Sequence, residues 1–231
     1  MLTLGFPAAA FETNCFILAP QAGEECLIVD PGVGVVDQLR EVLEEFRLRP
    51  GAVLLTHGHL DHVFSVTPVC ASGGVAAYIH TDDRERLKDP FGGMEPMMMH
   101  MFEREFGPKS SWKEPDDVLE LGPDTSITIA GMTMGTIHAP GHTAGSVMFA
   151  FADTPDGINA EVSTTVVSGD VLFAGSIGRC DLPGGDEAAM MRSLRDTILP
   201  MPDDRLVLPG HGPLTTIGIE RGSNPFLRNL R

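Results

Sequence analysis

Three histidines and an aspartate crowd into one six-residue stretch, His57-Gly58-His59-Leu60-Asp61-His62, although the whole chain holds only eight histidines. No other feature constrains the fold as much. Imidazole and carboxylate together make a ligand set for divalent cations. The stretch follows directly on the apolar run Ala52-Val53-Leu54-Leu55. Groups set just past a strand's C-terminal end sit where layered α/β folds carry their chemistry. A loop of solvated histidines has no such reason to be there.

Three further segments repeat the arrangement, each with glycine beside a metal-competent side chain and an apolar run before it: Pro140-Gly141-His142-Thr143, Ser168-Gly169-Asp170 and Leu208-Pro209-Gly210-His211-Gly212. Glycine lets the backbone approach a shared centre closely. The set offers five histidines and two aspartates. That is too many for one tetrahedral ion and suits two ions sharing a carboxylate. A structural zinc site closes four ligands and stops, so the excess points to chemistry.

The patterning between these segments predicts a meander of strands over residues 2–6, 13–19 and 26–29, a helix over 35–46 and a strand over 52–55. Helix 63–72, strand 75–79 and helix 81–88 follow, then strands over 126–129, 132–137, 146–151 and 164–167, helix 186–198 and strand 205–208. Two sheets facing each other with helices outside, in one α/β domain over 1–231, is the economical architecture, since no linker or low-complexity stretch divides the chain. Residues 90–115 differ in character, holding Gly92-Gly93, Pro96 and Met97-Met98-Met99-His100-Met101-Phe102. They read as a short helix between loops, and the Met-rich part, 94–101, is either an adaptable apolar lid over the site or ordinary helix core or a dimer contact. His80, His100 and His138 lie outside the pattern and are expected to be structural or exposed.

Composition excludes several classes. A net charge of −16 opposes a nucleic-acid surface, which needs clustered Lys and Arg. The chain has no apolar run of about 18 residues and no basic leader, so no membrane span or signal peptide is expected. Cys15, Cys26, Cys70 and Cys180 form no CxxC pair and read as reduced, mostly buried thiols of a cytoplasmic protein. Nothing in the chain encodes an oligomeric state.

The order HxHxDH, then His142, Asp170 and His211, resembles the metallo-β-lactamase superfamily over nearly the full chain. The resemblance implies a four-layer αββα sandwich of two mixed sheets. It also implies two divalent ions, zinc with iron or manganese as substitutes: His57, His59 and His142 on the first, Asp61, His62 and His211 on the second, and Asp170 bridging. Thr13-Asn14-Cys15-Phe16-Ile17, the stretch from Ser176 to Gly185 and the tail Gly210–Gly218 with Glu220 and Asn224-Pro225-Phe226-Leu227 are similar to short bacterial glyoxalase II-like (hydroxyacylglutathione hydrolase-like) proteins. That implies cleavage of a small-molecule thioester, S-lactoyl-thiol or hydroxyacylglutathione-like, by hydroxide held between the metals. Asp61 and Asp170 would be catalytic, Asp61 as ligand or as orienting base.

Arg179 is either a clamp for a substrate carboxylate or for a hydrogen-bond network at the site rim, or it forms a structural salt bridge to Asp181 or a neighbouring acid. Longer glyoxalase II enzymes contact glutathione through a C-terminal helical region, whereas this chain ends about twenty residues after His211, so glutathione specificity is not carried over. Persulfide dioxygenases share the fold, HxHxDH and a similar Gly-Arg-x-Asp stretch but use one iron on two histidines and an aspartate, with the remaining positions empty. Here these would be His57, His142 and Asp170, the alternative reading.

Overall fold

The computed structural model describes residues 1–122, 124–158 and 161–230. Its first sheet holds six strands in sequence order: β1 (Leu2–Pro7), β2 (Asn14–Ala19), β3 (Glu25–Val29), β4 (Arg49–Leu54), β5 (Ala77–His80) and β6 (Val118–Leu121). The β1–β2–β3 meander is antiparallel, as the tight spacing predicts, and β3 to β6 run parallel. The second sheet takes β7 (Ser126–Ile129), β8 (Met132–His138), β9 (Val147–Phe151), β10 (Thr164–Gly169), β11 (Arg205–Pro209) and the short β12 (Thr215–Thr216). Only β10 and β11 pair in parallel there. Both sheets are mixed.

Side-chain alternation explains the layers. Along β2 and β3, Cys15, Ile17, Cys26 and Ile28 face one way, and Phe16, Leu18, Leu27 and Val29 face the other. Both faces are apolar because both are covered. Phe16, Leu18, Leu27, Val29 and Leu54 meet Met134, Val147, Phe149, Phe151 and Leu208 of the second sheet in a shared core. The outer face of the first sheet packs under α1 (Val36–Glu45) and α3 (Val66–Gly73), through Leu39, Val66, Val69 and Cys70. On the far side, Met148, Val166 and Val207 pack on Met190 of α6 (Glu187–Ser193), on Leu194 and Ile198, and on Ile217 of α7 (Ile217–Ser223). The result is helix, sheet, sheet, helix.

Local differences from the sequence pattern have local causes. The predicted helix 63–72 is split into α2 (Leu60–Val63) and α3, because the Ser65 amide donates to the Pro31 carbonyl at 2.9 Å rather than back along the helix, and its hydroxyl donates to the Gly32 carbonyl at 2.6 Å. Strand β6 goes unread in the sequence: half its residues are exposed, so it lacks the strong apolar run of a buried strand. Helix 186–198 begins where predicted, with the Asp186 carboxylate accepting from Ala189 N at 2.9 Å, but ends in a π-helical turn over Leu194–Ile198. The helix read between loops is α5 (Pro96–Phe106), which follows α4 (Arg84–Lys88). It turns Phe102 into a small cluster with Val33, Leu60 and Phe91, and leaves Met97, Met98 and Met101 outward. The tail closes with α8 (Pro225–Arg228). Three of the four cysteines are buried, and all four are unpaired. Among the described residues, no helix is long and apolar enough to cross a membrane.

Candidate metal centre

Each metal-competent segment leaves the same edge of the two sheets. His57 and His59 follow β4, Asp61 and His62 open α2, His142 lies in the turn between β8 and β9, and Asp170 and His211 follow β10 and β11. The structure brings all seven together. His142 Nε2 is 3.2 Å from His57 Nε2 and 2.8 Å from His59 Nδ1. His211 Nε2 is 3.3 Å from His62 Nε2 and 3.2 Å from Asp61 Oδ2. Between these groups stands the Asp170 carboxylate. Its Oδ1 faces His62 Nε2 at 3.3 Å, and its Oδ2 faces His142 at 3.5 Å and His211 at 3.6 Å.

The ring orientations decide what such proximity means. His57, His59 and His142 are mutually perpendicular, with interplanar angles of 86°, 81° and 89°. Nitrogen lone pairs lie in the ring plane, the planes of three mutually perpendicular rings share a single point, and one nitrogen of each ring lies within 4.8 Å of the others. Hydrogen bonds fix which nitrogen is bare. The Arg179 carbonyl can only accept, so His142 Nδ1 donates to it at 2.7 Å and Nε2 is left as the inward lone pair. His62 Nδ1 pairs with Asp30 Oδ2 at 2.9 Å. The Thr56 hydroxyl donates to Asp30 at 2.6 Å, which leaves its oxygen to accept from His57 Nδ1 at 3.1 Å.

The donor set fits cations. Asp170 Oδ1 is buried and has no hydrogen-bond partner among the described residues. A Cβ at Gly210 would occupy the space against that same oxygen and His62, so this glycine keeps the approach open. Charge divides the cluster in two. Burial, then the neighbouring histidines, holds His57 well below its ordinary pKa, and burial with His142 brings His59 down to about 3. Their lone pairs are therefore free. On the other side burial opposes charge on His62, yet Asp170, Asp61 and Asp30 outweigh it and raise the imidazole well above its usual value. His211 is raised against burial by its hydrogen bond to Asp61 and by Asp170. Burial also opposes ionisation of Asp61 and Asp170, but His62 heads the charges that hold both carboxyls below the usual range. Two carboxylates crowded by imidazoles attract positive charge, and a divalent ion supplies it.

Two positioning residues escape the sequence reading. Asp30, the residue after β3, is buried at a left-handed φ of 49° and orients Thr56 and His62. Its place after an apolar strand was the available signal. Asp83 is buried and ties two ligand loops together, accepting from Gly58 N at 2.7 Å, Thr143 Oγ1 at 2.7 Å and Gly145 N at 3.0 Å. Nothing in Thr81-Asp82-Asp83 marks it out from an ordinary helix start. Thr13 and Asn14 pin the remaining loop: Thr13 Oγ1 donates to Asp61 at 3.1 Å, and Asn14 Nδ2 donates to the carbonyls of Pro209 and Gly212.

Arg179 divides by atom. Its guanidinium is exposed and bound bidentately by Asp181 at 2.7 Å, while its carbonyl orients His142. His80 and His138 stack on each other outside the cluster, and His100 is exposed on α5. A cavity of about 690 Å³ opens over His59, Asp61, His142, Asp170 and His211, and its walls are largely apolar. Met94 and Met98 line it, so part of the Met-rich segment borders the site while Met99 packs inward.

Comparison with known proteins agrees with this geometry. An uncharacterized protein of Mycobacterium tuberculosis is 42% identical over all 231 residues, covering 100% of this chain and 99% of its own. The hydroxyacylglutathione hydrolase GloC of Haemophilus influenzae is 34% identical over 227 residues, 96% of each chain. Among solved structures, the B3 metallo-beta-lactamase BLEG-1 superposes with a TM-score of 0.78 at 36% identity, covering 98% of this chain and 99% of that one. A di-iron-bound form of TTHA1623 superposes with a TM-score of 0.75 at 32% identity, covering 97% and 100%. The family description matching residues 8–211 is that of the metallo-beta-lactamase superfamily, and the chain belongs to it.

Proposed function

We propose that this chain is a two-cation hydrolase that cleaves a small-molecule thioester of the S-lactoyl-thiol type. The observation that carries the reading is the Asp170 carboxylate, whose two oxygens face His62 on one side and His142 with His211 on the other. In this assignment His57, His59 and His142 would hold one ion and Asp61, His62 and His211 the other, and Asp170, beside His62, His142 and His211, would serve both. When bound, two divalent ions acidify water to a pKa near 7 and polarise the scissile carbonyl.

The chain's own residues do the rest. Asp30, Thr56 and the Arg179 carbonyl hold the imidazoles with their lone pairs inward, so the ligand geometry exists before substrate arrives. Thr13 holds Asp61, which would serve as a ligand or as the base that orients the attacking water. Water adds to the carbonyl carbon and the C–S bond breaks, giving a carboxylate, a thiolate and two protons, one of which the thiolate takes up in solution. A thiolate leaves without a proton donor because its pKa is low beside that of an amine or alkoxide. The similarity to GloC supports a thioester, and the similarity to the di-iron-bound form of TTHA1623 supports two ions over the single iron of the persulfide dioxygenase alternative. The similarity to BLEG-1 makes a β-lactam the competing substrate. Free thiols and an acidic surface suit a cytoplasmic enzyme with a small-molecule substrate.

The test is metal analysis of the purified protein beside three assays: thiol release from S-lactoyl thioesters, oxygen uptake with a persulfide, and opening of a β-lactam. Two ions per chain, zinc or iron, with thiol release is the expected result. One iron per chain with oxygen uptake overturns it, as does β-lactam opening without thiol release.

A further inference from the structure

The cavity over the cluster has a chemical bias that the hydrolase reading does not use. Phe91, Met94, Met98, Ile177 and Leu182 make up much of its wall, and Phe11 stands at its rim. Phe11 is 44% exposed and adopts a left-handed φ of 65°, followed by Glu12 at 56°. An aromatic residue held in that region is strained. Here the strain presents an apolar ring at the cavity, stacked on Phe102 at 6.5 Å.

Charge points the same way. Arg179 is the only Lys or Arg among the described lining residues, and Asp181 already binds it through both guanidinium contacts. The cations just behind the wall are engaged as well. Arg86 donates to the Pro183 carbonyl and lies 3.5 Å from Asp83, and Lys109 pairs with Asp89 at 2.8 Å while sitting over the Phe91 ring. Glu95 adds a carboxylate to the lining. A ligand arm with free carboxylates, such as a glutathionyl group, meets no unpaired cation on this wall, whereas an uncharged hydrocarbon arm meets methionine and aromatic surface that adapts to it.

We propose that the wall formed by Phe11, Phe91, Met94 and Met98 takes an extended, uncharged apolar acyl chain, so the preferred substrates are acyl thioesters with several methylenes beyond the carbonyl. The proposal rests on the thioester reading above. Small carrier thiols are themselves polar, which assigns the apolar arm to the acyl side. Each methylene buried against such a wall is worth roughly fourfold in affinity.

Two measurements test it separately from the hydrolase reading. The first compares kcat/KM of the metal-loaded protein for acetyl and octanoyl esters of N-acetylcysteamine and for S-lactoylglutathione. The octanoyl ester is expected to exceed the acetyl ester at least tenfold and S-lactoylglutathione as well. Met98→Glu is expected to lower the octanoyl-to-acetyl ratio at least tenfold. Met97→Glu, on the same helix but outside the cavity, leaves the ratio unchanged. The second follows the fluorescence of Trp112, the only tryptophan, which packs edge-on against Phe91 at 6.2 Å. S-octyl-N-acetylcysteamine, a thioether that cannot be hydrolysed, is expected to bind at least tenfold tighter than the S-ethyl compound.

A ratio near one in both measurements, or preference for S-lactoylglutathione, overturns the apolar-chain proposal and leaves the hydrolase reading standing. Thioether preference without turnover of any thioester supports the apolar wall and overturns the hydrolase reading.

Discussion

Two clusters of histidine and aspartate lie close together in this molecule, and only one is built like a metal centre. His57, His59 and His142 hold their rings perpendicular, and every lone pair with a fixed tautomer points inward. His80, Asp82 and His138 offer the same chemistry, with ligand atoms just as close. Yet the two imidazoles stack nearly parallel, at 11° and 4.1 Å between centroids, and Asp82 is half exposed. Parallel rings have parallel lone-pair planes, so no single point lies in both at coordination distance. His138 Nε2 is also occupied by the Ala144 carbonyl at 2.8 Å. Ligand type and proximity are common to both clusters. Direction separates them.

The comparison predicts a graded set of effects. The largest belongs to Asp170, which alone faces both halves of the centre. Asp170→Ala should lose at least one of two bound ions and on the order of a thousandfold in kcat/KM, about 4 kcal/mol of barrier. A variant retaining both ions by elemental analysis breaks the bridging assignment.

Next comes chelation. Ions bound only by the folded chain stabilise it by about 3 kcal/mol at a few hundred times their Kd. A protein of this size should then melt about 6–12 °C lower once stripped. An identical melting curve for the stripped and loaded protein counts against a pre-built centre.

Asp30→Asn removes the carboxylate that aligns His62 and Thr56 without replacing a ligand. Loss of this kind of outer support typically weakens metal affinity about 10–100-fold. Competition with a fluorescent chelator measures it, and unchanged affinity would show that the ring directions are held by packing alone.

The smallest effect is expected from His138→Ala. Metal content should stay at the wild-type value and stability should fall by about 1 kcal/mol or less, since the side chain is largely a stacking partner near the surface. Loss of an ion in this variant would erase the distinction between the clusters.

Much of this was legible before any coordinates. The alternation of Cys15, Ile17, Cys26 and Ile28 against Phe16, Leu18, Leu27 and Val29 wrote two covered faces into the first sheet, because side chains on a strand repeat every second residue. The four ligand-bearing segments were legible because glycine and a metal-competent side chain recur after apolar strands. Strand β6 was not, since an edge strand need not be apolar.

Residue order alone determined which side chains could bind cations and that strand ends would carry them. It set His138, at the end of β8, outside the ligand pattern, but could not show the near-parallel stacking on His80 that keeps it there. Nor could it reveal Asp30 or Asp83, whose partners lie 25 to 62 residues away in sequence. For Arg179 it named the residue, and folding decided that its guanidinium would go to Asp181 and its carbonyl to His142. These choices belong to tertiary structure because a hydrogen bond and a lone pair are directional, and their directions are set by neighbours that meet only when the two sheets close.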